Sequence, residues 1–526
     1  MRRDRVVVIG AGMGGLAAAC DLAARGADVL VLERQESVGG KMRLARVGTA
    51  AIDAGPTVFT MRWVFDGLFA DAGARFDAAL RLIPAGVLAR HAWAGGGRLD
   101  LFADIDRSAE AIGDFAGAGA ARGYRDFCGR SREIYRTLSA PFMAAERPSP
   151  LGLVRRVGWQ RLGALWRTAP LRRLWPALAA YFPDPRLRQL FARYATYVGS
   201  SPFRVPATLM LVAHVEQDGV WYVEGGMHRI AAAMRGLAEA QGARFRCGAE
   251  VAEILVQGGR AAGVRLVDGE RIAADAVVFN GDAAALGQGL LGDAARSAAR
   301  DMPPASRSLS ALTWCLVARA EGFPLLRHSV FFGADYEAEF SAIFAGRRIA
   351  AAPTVYVCAQ DRGDDPLQGQ ARAERLLVLV NAPADGDRGP AHEDSLAALG
   401  EAGFALLKRC GLALHRATDQ GMRTGPAGFA ALFPGSGGAL YGRANHGPMA
   451  SFARPGARAR LPGLYLAGGS VHPGPGVPMA ALSGRIAAAR LLADRAGSLS
   501  RPVRIARGST APGGGVGDEA VDHLGG

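Results

Sequence analysis

Cysteine is scarce in this chain. Six occur in 526 residues, at Cys20, Cys128, Cys247, Cys315, Cys358 and Cys410. None forms a CxxC pair, and none has zinc-like spacing with histidine, so neither a disulfide framework nor a zinc site organises the fold. Most lie in apolar surroundings, and buried free thiols in a reducing compartment are expected. No run of about 18 consecutive apolar residues occurs, so no membrane-spanning helix is expected. The N-terminus runs directly into a β-branched stretch, without a signal-like apolar segment and cleavage site. Acidic residues are the minority charge, 48 against 62 lysines and arginines, which gives a formal net charge of +14. That balance favours anionic partners. Nucleic acid is the first suspect, but no nucleic-acid-binding motif accompanies the charge. The expected location is the cytoplasm, free or at a membrane surface.

What is present is a hydrophobic fraction of 50% with 21% charged residues, the composition of an ordered globular protein. The length allows a large core in two or three lobes. The first forty residues are the most informative. Val6–Ile9 reads as a strand, Gly10-Ala11-Gly12-Met13-Gly14-Gly15 as a turn, and Leu16–Ala24 as a helix ended by Gly26. Asp28–Leu32 is a second strand closed by Glu33. Gly10 permits the tight turn, Gly12 the approach of a pyrophosphate, and Gly15 the packing of helix on strand. The helix N-terminus offers N–H groups and a positive dipole end to phosphate. Glu33 lies roughly 20 residues past the glycines, where a carboxylate accepts ribose hydroxyls. Arg34 and a second glycine pair follow, Gly39-Gly40-Lys41-Met42-Arg43. This extension suits FAD held along its whole length, with Lys41 or Arg43 near the pyrophosphate, better than a nicotinamide cofactor. A plain turn flanked by solvated bases is the competing reading.

The chain is expected to leave its FAD-binding domain and return. Residues 1–90, 225–285 and 460–495 are assigned to that domain. Residues 91–224 read as helical and membrane-facing, with breaks at Pro141, Pro148-Ser149-Pro150, Pro170, Pro176 and Pro183-Asp184-Pro185. Residues 286–459 read as a substrate domain, with strands near Ala311–Val317 and Leu376–Val380. A helix is predicted from His228 to about Gln241. A hairpin is expected around Asp268-Gly269, and Asp275–Asn280 returns toward the cofactor. Leu464–Gly469 reads as a last buried strand, Ala480–Ala493 as a closing helix, and residues 496–526 as a disordered tail.

Gly463–Pro478, with its Ala467-Gly468-Gly469-Ser470-Val471-His472-Pro473-Gly474-Pro475-Gly476 core, resembles the bacterial phytoene-desaturase type of carotenoid desaturase. Asp53–Thr57 and Tyr222–Met227 match further blocks of that family, and the likeness runs end to end apart from the tail. Gly55–Phe65 is most similar to the 1-hydroxycarotenoid 3,4-desaturases, also called hydroxyneurosporene or methoxyneurosporene desaturases. The resemblance implies an α/β fold. A Rossmann-type FAD domain of the amine-oxidase-like superfamily would be joined to an α+β substrate domain and a helical lid region. An acid often follows the last glycine in amine oxidases. Here Gly469 and Ser470 stand instead, a departure that carotenoid desaturases share.

The resemblance also assigns roles. Gly10, Gly12, Gly14, Gly15 and Glu33 bind the ADP half, with Arg34, Gly40 and Lys41 beside it. The Val251 backbone meets the adenine, and Gly468 and Gly469 approach the pyrophosphate. Val477, Pro478 and Met479 open the last helix toward the flavin C2 carbonyl, where the helix dipole would favour negative charge. Desaturation is then hydride transfer to the flavin with proton loss from the neighbouring carbon, so the chemistry is mainly the cofactor's. No side chain is assigned as an essential base. His472 is a polar candidate near the flavin, with a structural turn histidine as the alternative. Glu224 and Asp53 read equally as capping or loop carboxylates. Thr57 and Arg62 are expected on the substrate side, and oxygen or a quinone as electron acceptor.

Leu153–Trp175 contains Arg155, Arg156, Arg161, Arg167, Arg172 and Arg173 without an acid. Trp159, Leu162 and Trp166 share a helical face by spacing. Bases with tryptophans on an amphipathic helix suit an anionic membrane interface, from which a carotenoid would enter an apolar tunnel. A domain-packing helix with a solvated basic face is the alternative. Other activities stay open: phytoene or another carotene desaturase, a carotene cis–trans isomerase, a small-amine oxidase, and a non-catalytic prenyl-lipid carrier.

Overall fold

Alternation along the first strand feeds two cores at once. In the computed structural model, Val6 and Val8 of strand Arg5–Ile9 join one apolar cluster, and Val7 and Ile9 join another on the opposite face. This follows from the two-residue period of a strand covered on both sides. The structure describes residues 4–346, 348, 350–364, 372–388, 393–416 and 421–497. Apart from Ala496 and Gly497, the expected disordered tail lies outside the described residues.

Arg5–Ile9 is the middle strand of a five-stranded parallel sheet. The order is Arg244–Arg246, Asp28–Leu32, Arg5–Ile9, Ala276–Phe279 and Leu464–Leu466. These neighbouring parallel strands come from widely separated stretches of the chain. Helices Met13–Ala24, His228–Ala240 and Val477–Arg495 contribute to the core on the face of Val6 and Val8. The antiparallel strands Val251–Gln257, Arg260–Leu266 and Arg271–Ala273 contribute to the core on the other. The first and last helices touch backbone to backbone. A Cβ on Gly484 would stand 2.0 Å from the Gly14 carbonyl oxygen. Between them Arg485 Nε donates to Asp21 Oδ2 at 3.1 Å, with both side chains buried.

The second sheet has eight strands. Along its main path lie Leu412–Arg416, Ser310–Gly322, Glu374–Ala382, Val355–Ala359, His328–Phe332, Val87–Trp93 and Arg98–Phe102, and Met422–Thr424 pairs with Ser310–Gly322. One face, including Phe331, Val355, Val357 and Val378, packs on helix Glu393–Arg409. The other carries His91, His328, Val330, Phe332 and Tyr356, as the register and alternation require. It faces the helical region built around Tyr124, Phe127, Phe182 and Phe191.

Two expectations need correcting. The stretch read as helical from residue 91 begins inside strand Val87–Trp93 and continues into Arg98–Phe102. Arg90 and His91 hid this strand by breaking its apolar pattern. Arg90 is nonetheless buried, because it pairs in fork geometry with Asp100 on the adjacent strand, both contacts at 2.7 Å. Likewise, Leu153–Trp175 is not one amphipathic helix. It comprises Pro150–Val157, a 3-10 turn Trp159–Arg161, Leu162–Arg167, and the start of Leu174–Leu178. Gly158, at φ +91°, ends the first piece. Leu153 and Leu174 are buried, whereas Trp159, Leu162, Trp166 and Leu171 are exposed.

Candidate cofactor and substrate site

The glycine turn is built so tightly that side chains are excluded. Gly10 takes φ +93°, and its N–H donates to the Leu32 carbonyl at 2.7 Å. A Cβ on Gly15 would lie 2.1 Å from the Gly10 oxygen, and one on Gly14 would lie 2.6 Å from the Gly468 nitrogen. The two chain ends therefore meet at this point. The second glycine pair stacks on the first. Gly39 N–H donates to the Ala11 carbonyl at 2.8 Å, and a Cβ on Gly40 would stand 3.0 Å from the Gly12 Cα. The first N–H groups of helix Met13–Ala24 have no intrahelical acceptor, which leaves an anion cradle.

Glu33 is buried at the end of its strand. Its carboxylate accepts the Ala11 N–H at 2.7 Å and the Gln35 N–H at 2.9 Å. Val251 opens a strand two residues after Ala249, whose N–H donates to the Glu33 carbonyl at 2.9 Å. At the far end Gly468, at φ +105°, donates its N–H to Ser483 Oγ at 2.7 Å, and Gly469 follows it. Helix Val477–Arg495 starts immediately after Gly476, with Val477, Pro478 and Met479 in its first turn. A crowded glycine cradle with a buried acid at the neighbouring strand end fits FAD.

Three basic residues of the opening segment reach toward the segment from 424 to 440. Arg34 donates to the Ala431 carbonyl at 3.1 Å, Lys41 to the Leu440 carbonyl at 2.5 Å, and Arg43 to Thr424 Oγ1 at 3.3 Å. The Lys41 ammonium also stands 5.2 Å from the Phe433 ring centroid. Burial, reinforced by the charge of Arg454, draws the Lys41 pKa below its usual value, with Asp282 opposing.

Sequence reasoning missed the roles of two residues. Asn280 lies at the crossing of the glycine turn and the last strand. Its Nδ2 donates to the Gly10 carbonyl at 3.1 Å, and its Oδ1 is 3.0 Å from the Cβ position of Gly468. Its place at the end of a strand returning to the cofactor was the available signal. Arg454 gave none. It is buried, and it donates to the Tyr441, Gly469 and Arg443 carbonyls at 3.1, 3.2 and 2.6 Å. Its pKa is lowered to about 10 by burial, with the Asp282 charge opposing, and among the described residues no carboxylate forms an ion pair with it.

Other sequence candidates resolve into distinct positions. Asp53 is a cap: its carboxylate accepts the Met227 and His228 N–H groups at 2.8 and 3.1 Å, at the start of helix His228–Ala240. Glu224 is exposed and reaches Arg81 at 3.4 Å. His472 is buried with Nε2 between the Phe142 and Ala145 carbonyls at 2.9 and 3.0 Å, and burial lowers its pKa to about 4. It ties the C-terminal turn to the helical region. Thr57 Oγ1 lies 2.7 Å from Tyr356 Oη on the second sheet. Arg62 pairs with Asp66 at 3.2 Å rather than joining Thr57.

The family model for flavin-containing amine oxidoreductases matches residues 13–313. The chain belongs to the flavin-containing amine oxidoreductase family. Within it, the chain is 55% identical to a hydroxyneurosporene desaturase of Rubrivivax gelatinosus, over 96% of each chain. It is 46% identical to one of Cereibacter sphaeroides, over 94% of this chain and 98% of the other. Among solved structures, cyclohexylamine oxidase from Brevibacterium oxydans aligns with a TM-score of 0.54 at 14% identity, covering 94% and 100% of the two chains. That likeness bears on the fold alone. The cofactor is FAD, and the parallel-sheet flavin domain is joined to a mixed-sheet substrate domain, as the resemblance implied.

Proposed function

We propose that this chain is an FAD-dependent desaturase that introduces the C3–C4 double bond of a 1-hydroxy or 1-methoxy acyclic carotenoid, such as hydroxyneurosporene, in carotenoid biosynthesis. The end-to-end identity with hydroxyneurosporene desaturases carries this reading. Bound FAD supplies the acceptor for the two hydrogens lost from the substrate, and oxygen or a quinone takes up the electrons afterwards. The protein's share is to hold and orient. Glu33 faces the ribose, the glycine cradle admits the pyrophosphate, and the first turn of Val477–Arg495 lies at the flavin end. Arg454 and Lys41 bring buried positive charge to the same side, which favours negative charge on the cofactor. Thr57 and the face carrying His328, Val330 and Tyr356 line the substrate side, where packed apolar residues exclude water.

The substrate comes from a membrane. No helix among the described residues is long and apolar enough to cross one. In this reading the protein acts peripherally, at the cytoplasmic surface of that membrane. The exposed Leu151, Trp159, Leu162, Trp166 and Leu171 form the docking side together with Arg155, Arg161, Arg172 and Arg173. A recess of about 400 Å³ beside them is lined by Arg172, Arg173 and Arg204. The test is incubation of the purified protein with FAD and 1-hydroxyneurosporene in liposomes. Loss of two mass units with a red-shifted polyene spectrum is expected. Unaltered hydroxyneurosporene alongside conversion of phytoene would reject the reading, and so would unchanged mass with altered retention.

A further inference from the structure

Unpartnered polar atoms cluster in the helical face of the second sheet. His91 Nε2, His328 Nε2, Arg193 Nε and Tyr336 Oη are all buried without a hydrogen-bond partner. The Arg193 charge acts on His91, His328 and Tyr336, so the four groups share one neighbourhood. Their surroundings are aromatic. Phe332 stacks near His91, and the His328 ring lies 6.0 Å from Tyr222 and 6.1 Å from Tyr356 between centroids. Buried polar atoms are normally satisfied, and an exception calls for a reason. Unpartnered polar atoms set among buried apolar and aromatic side chains match an acyclic polyene with a single oxygen at its end.

His328 is the best placed of the four. Its Nδ1 lies 2.7 Å from Tyr356 Oη, which lies 2.7 Å from Thr57 Oγ1. Burial drops its pKa to about 3, so the ring is neutral and carries one N–H. With that proton on Nε2 the donors run in a single direction: Nδ1 accepts from the Tyr356 hydroxyl, Tyr356 Oη accepts from the Thr57 hydroxyl, and Nε2–H is left to donate outward. The relay starts beside the cofactor cradle: Gly55 packs on the Lys41 carbonyl, next to Gly40 and Gly12. A C1 oxygen is three bonds from C3, so its anchor belongs close to the flavin.

We propose that His328 Nε2, held by the Tyr356–Thr57 pair, hydrogen-bonds the C1 oxygen of the carotenoid and makes the enzyme selective for oxygenated chain ends. The subsite rests on the desaturase reading above. A donor serves a hydroxyl and a methyl ether alike, since both accept. A chain end without oxygen leaves Nε2–H unpaired, the situation in which polar sites discriminate strongly.

The test compares kcat/KM for 1-hydroxyneurosporene and its deoxy analogue, 1,2-dihydroneurosporene. Wild type, His328→Leu, His328→Gln and Tyr356→Phe are assayed, with flavin content and melting temperature as controls. Wild type should favour the hydroxylated substrate by about tenfold to a hundredfold. His328→Leu should bring the ratio to about one, and His328→Gln should restore part of it. Tyr356→Phe tests the same relay if His328→Leu does not fold, and it should also lower the ratio. Equal losses on both substrates, with the ratio kept, would overturn the subsite and leave the desaturase reading standing. Wild type that desaturates neither compound would overturn that reading and the subsite with it.

Discussion

Docking on an anionic membrane is the consequence most open to measurement. Arg155, Arg161, Arg172 and Arg173 are exposed and form no ion pair among the described residues, whereas Arg167 is engaged by Glu133 at 2.5 Å. Each arginine near an anionic surface contributes about 1 kcal/mol. Four together give about 4 kcal/mol, or roughly a thousandfold in partitioning. Trp159 and Trp166 are 66% and 71% exposed. At about 25 cal/mol per Å², burying most of an indole adds roughly 2–3 kcal/mol each. The fourfold variant R155Q/R161Q/R172Q/R173Q should therefore lose about a hundredfold to a thousandfold in binding to vesicles containing anionic lipid. Its binding to zwitterionic vesicles should barely change. W159A/W166A should lose binding to both. Raising the salt should weaken the wild type on anionic vesicles, since the Debye length falls from about 8 Å at physiological ionic strength to about 3 Å at 1 M. Flotation with flavin absorbance as readout measures all of these. Wild-type partitioning by both variants would refute the docking surface, because the patch would then be an ordinary solvated face.

Two further outcomes follow from the same geometry. Gly15→Val should abolish flavin retention, because its Cβ alone would lie 2.1 Å from the Gly10 oxygen; stoichiometric flavin absorbance in the purified variant would contradict the tightness of the cradle. His472 is held at about 4, below its unfolded value of about 6.5. Between those limits the unfolded state binds the extra proton, so stability rises with pH there by about 1.4 kcal/mol per unit and is level above about 7. Denaturant titrations at pH 5 and 7.5 should show this pH-dependent loss reduced in His472→Gln, and an identical loss in both proteins would count against it.

The parts of the fold that follow short-range rules were legible. Strand, glycine turn, helix, strand and Glu33 stand where the spacing put them, and the last helix begins at Val477 as its motif implied. What escaped depends on pairing across long sequence distance. Arg90 and His91 look like strand breakers until Asp100 and the neighbouring strands are in place. Arg454 is one arginine among many until the carbonyls of Tyr441, Arg443 and Gly469 converge on it. The basic segment kept its exposed tryptophans but lost its single helix, because Gly158 adopts a conformation that a helical wheel does not weigh. Asn280 shows the middle case. Its strand was recognised, but the side chain gains meaning only once Gly10 and Gly468 lie on either side of it.

The abundance of glycine and alanine has a structural use beyond base composition. Helices Met13–Ala24 and Val477–Arg495 approach until the Gly484 Cβ position is 2.0 Å from the Gly14 oxygen. Ala17, Ala18, Ala481, Ala487 and Ala488 are buried in the same core. Larger residues would force the helices apart. The helices carry the two halves of the clamp, since Gly12 opens the first and Gly468 is bonded to Ser483 on the last. Separation of the helices would open the site by a similar distance. The Arg485–Asp21 contact adds a charged tie across the same seam, and breaking one partner of a buried pair typically costs about 3–5 kcal/mol. Cofactor geometry is thus set by helix packing behind the turn as much as by the turn itself. Substitutions at Gly484, which presents no group to the cofactor, should act on flavin binding as strongly as substitutions in the cradle.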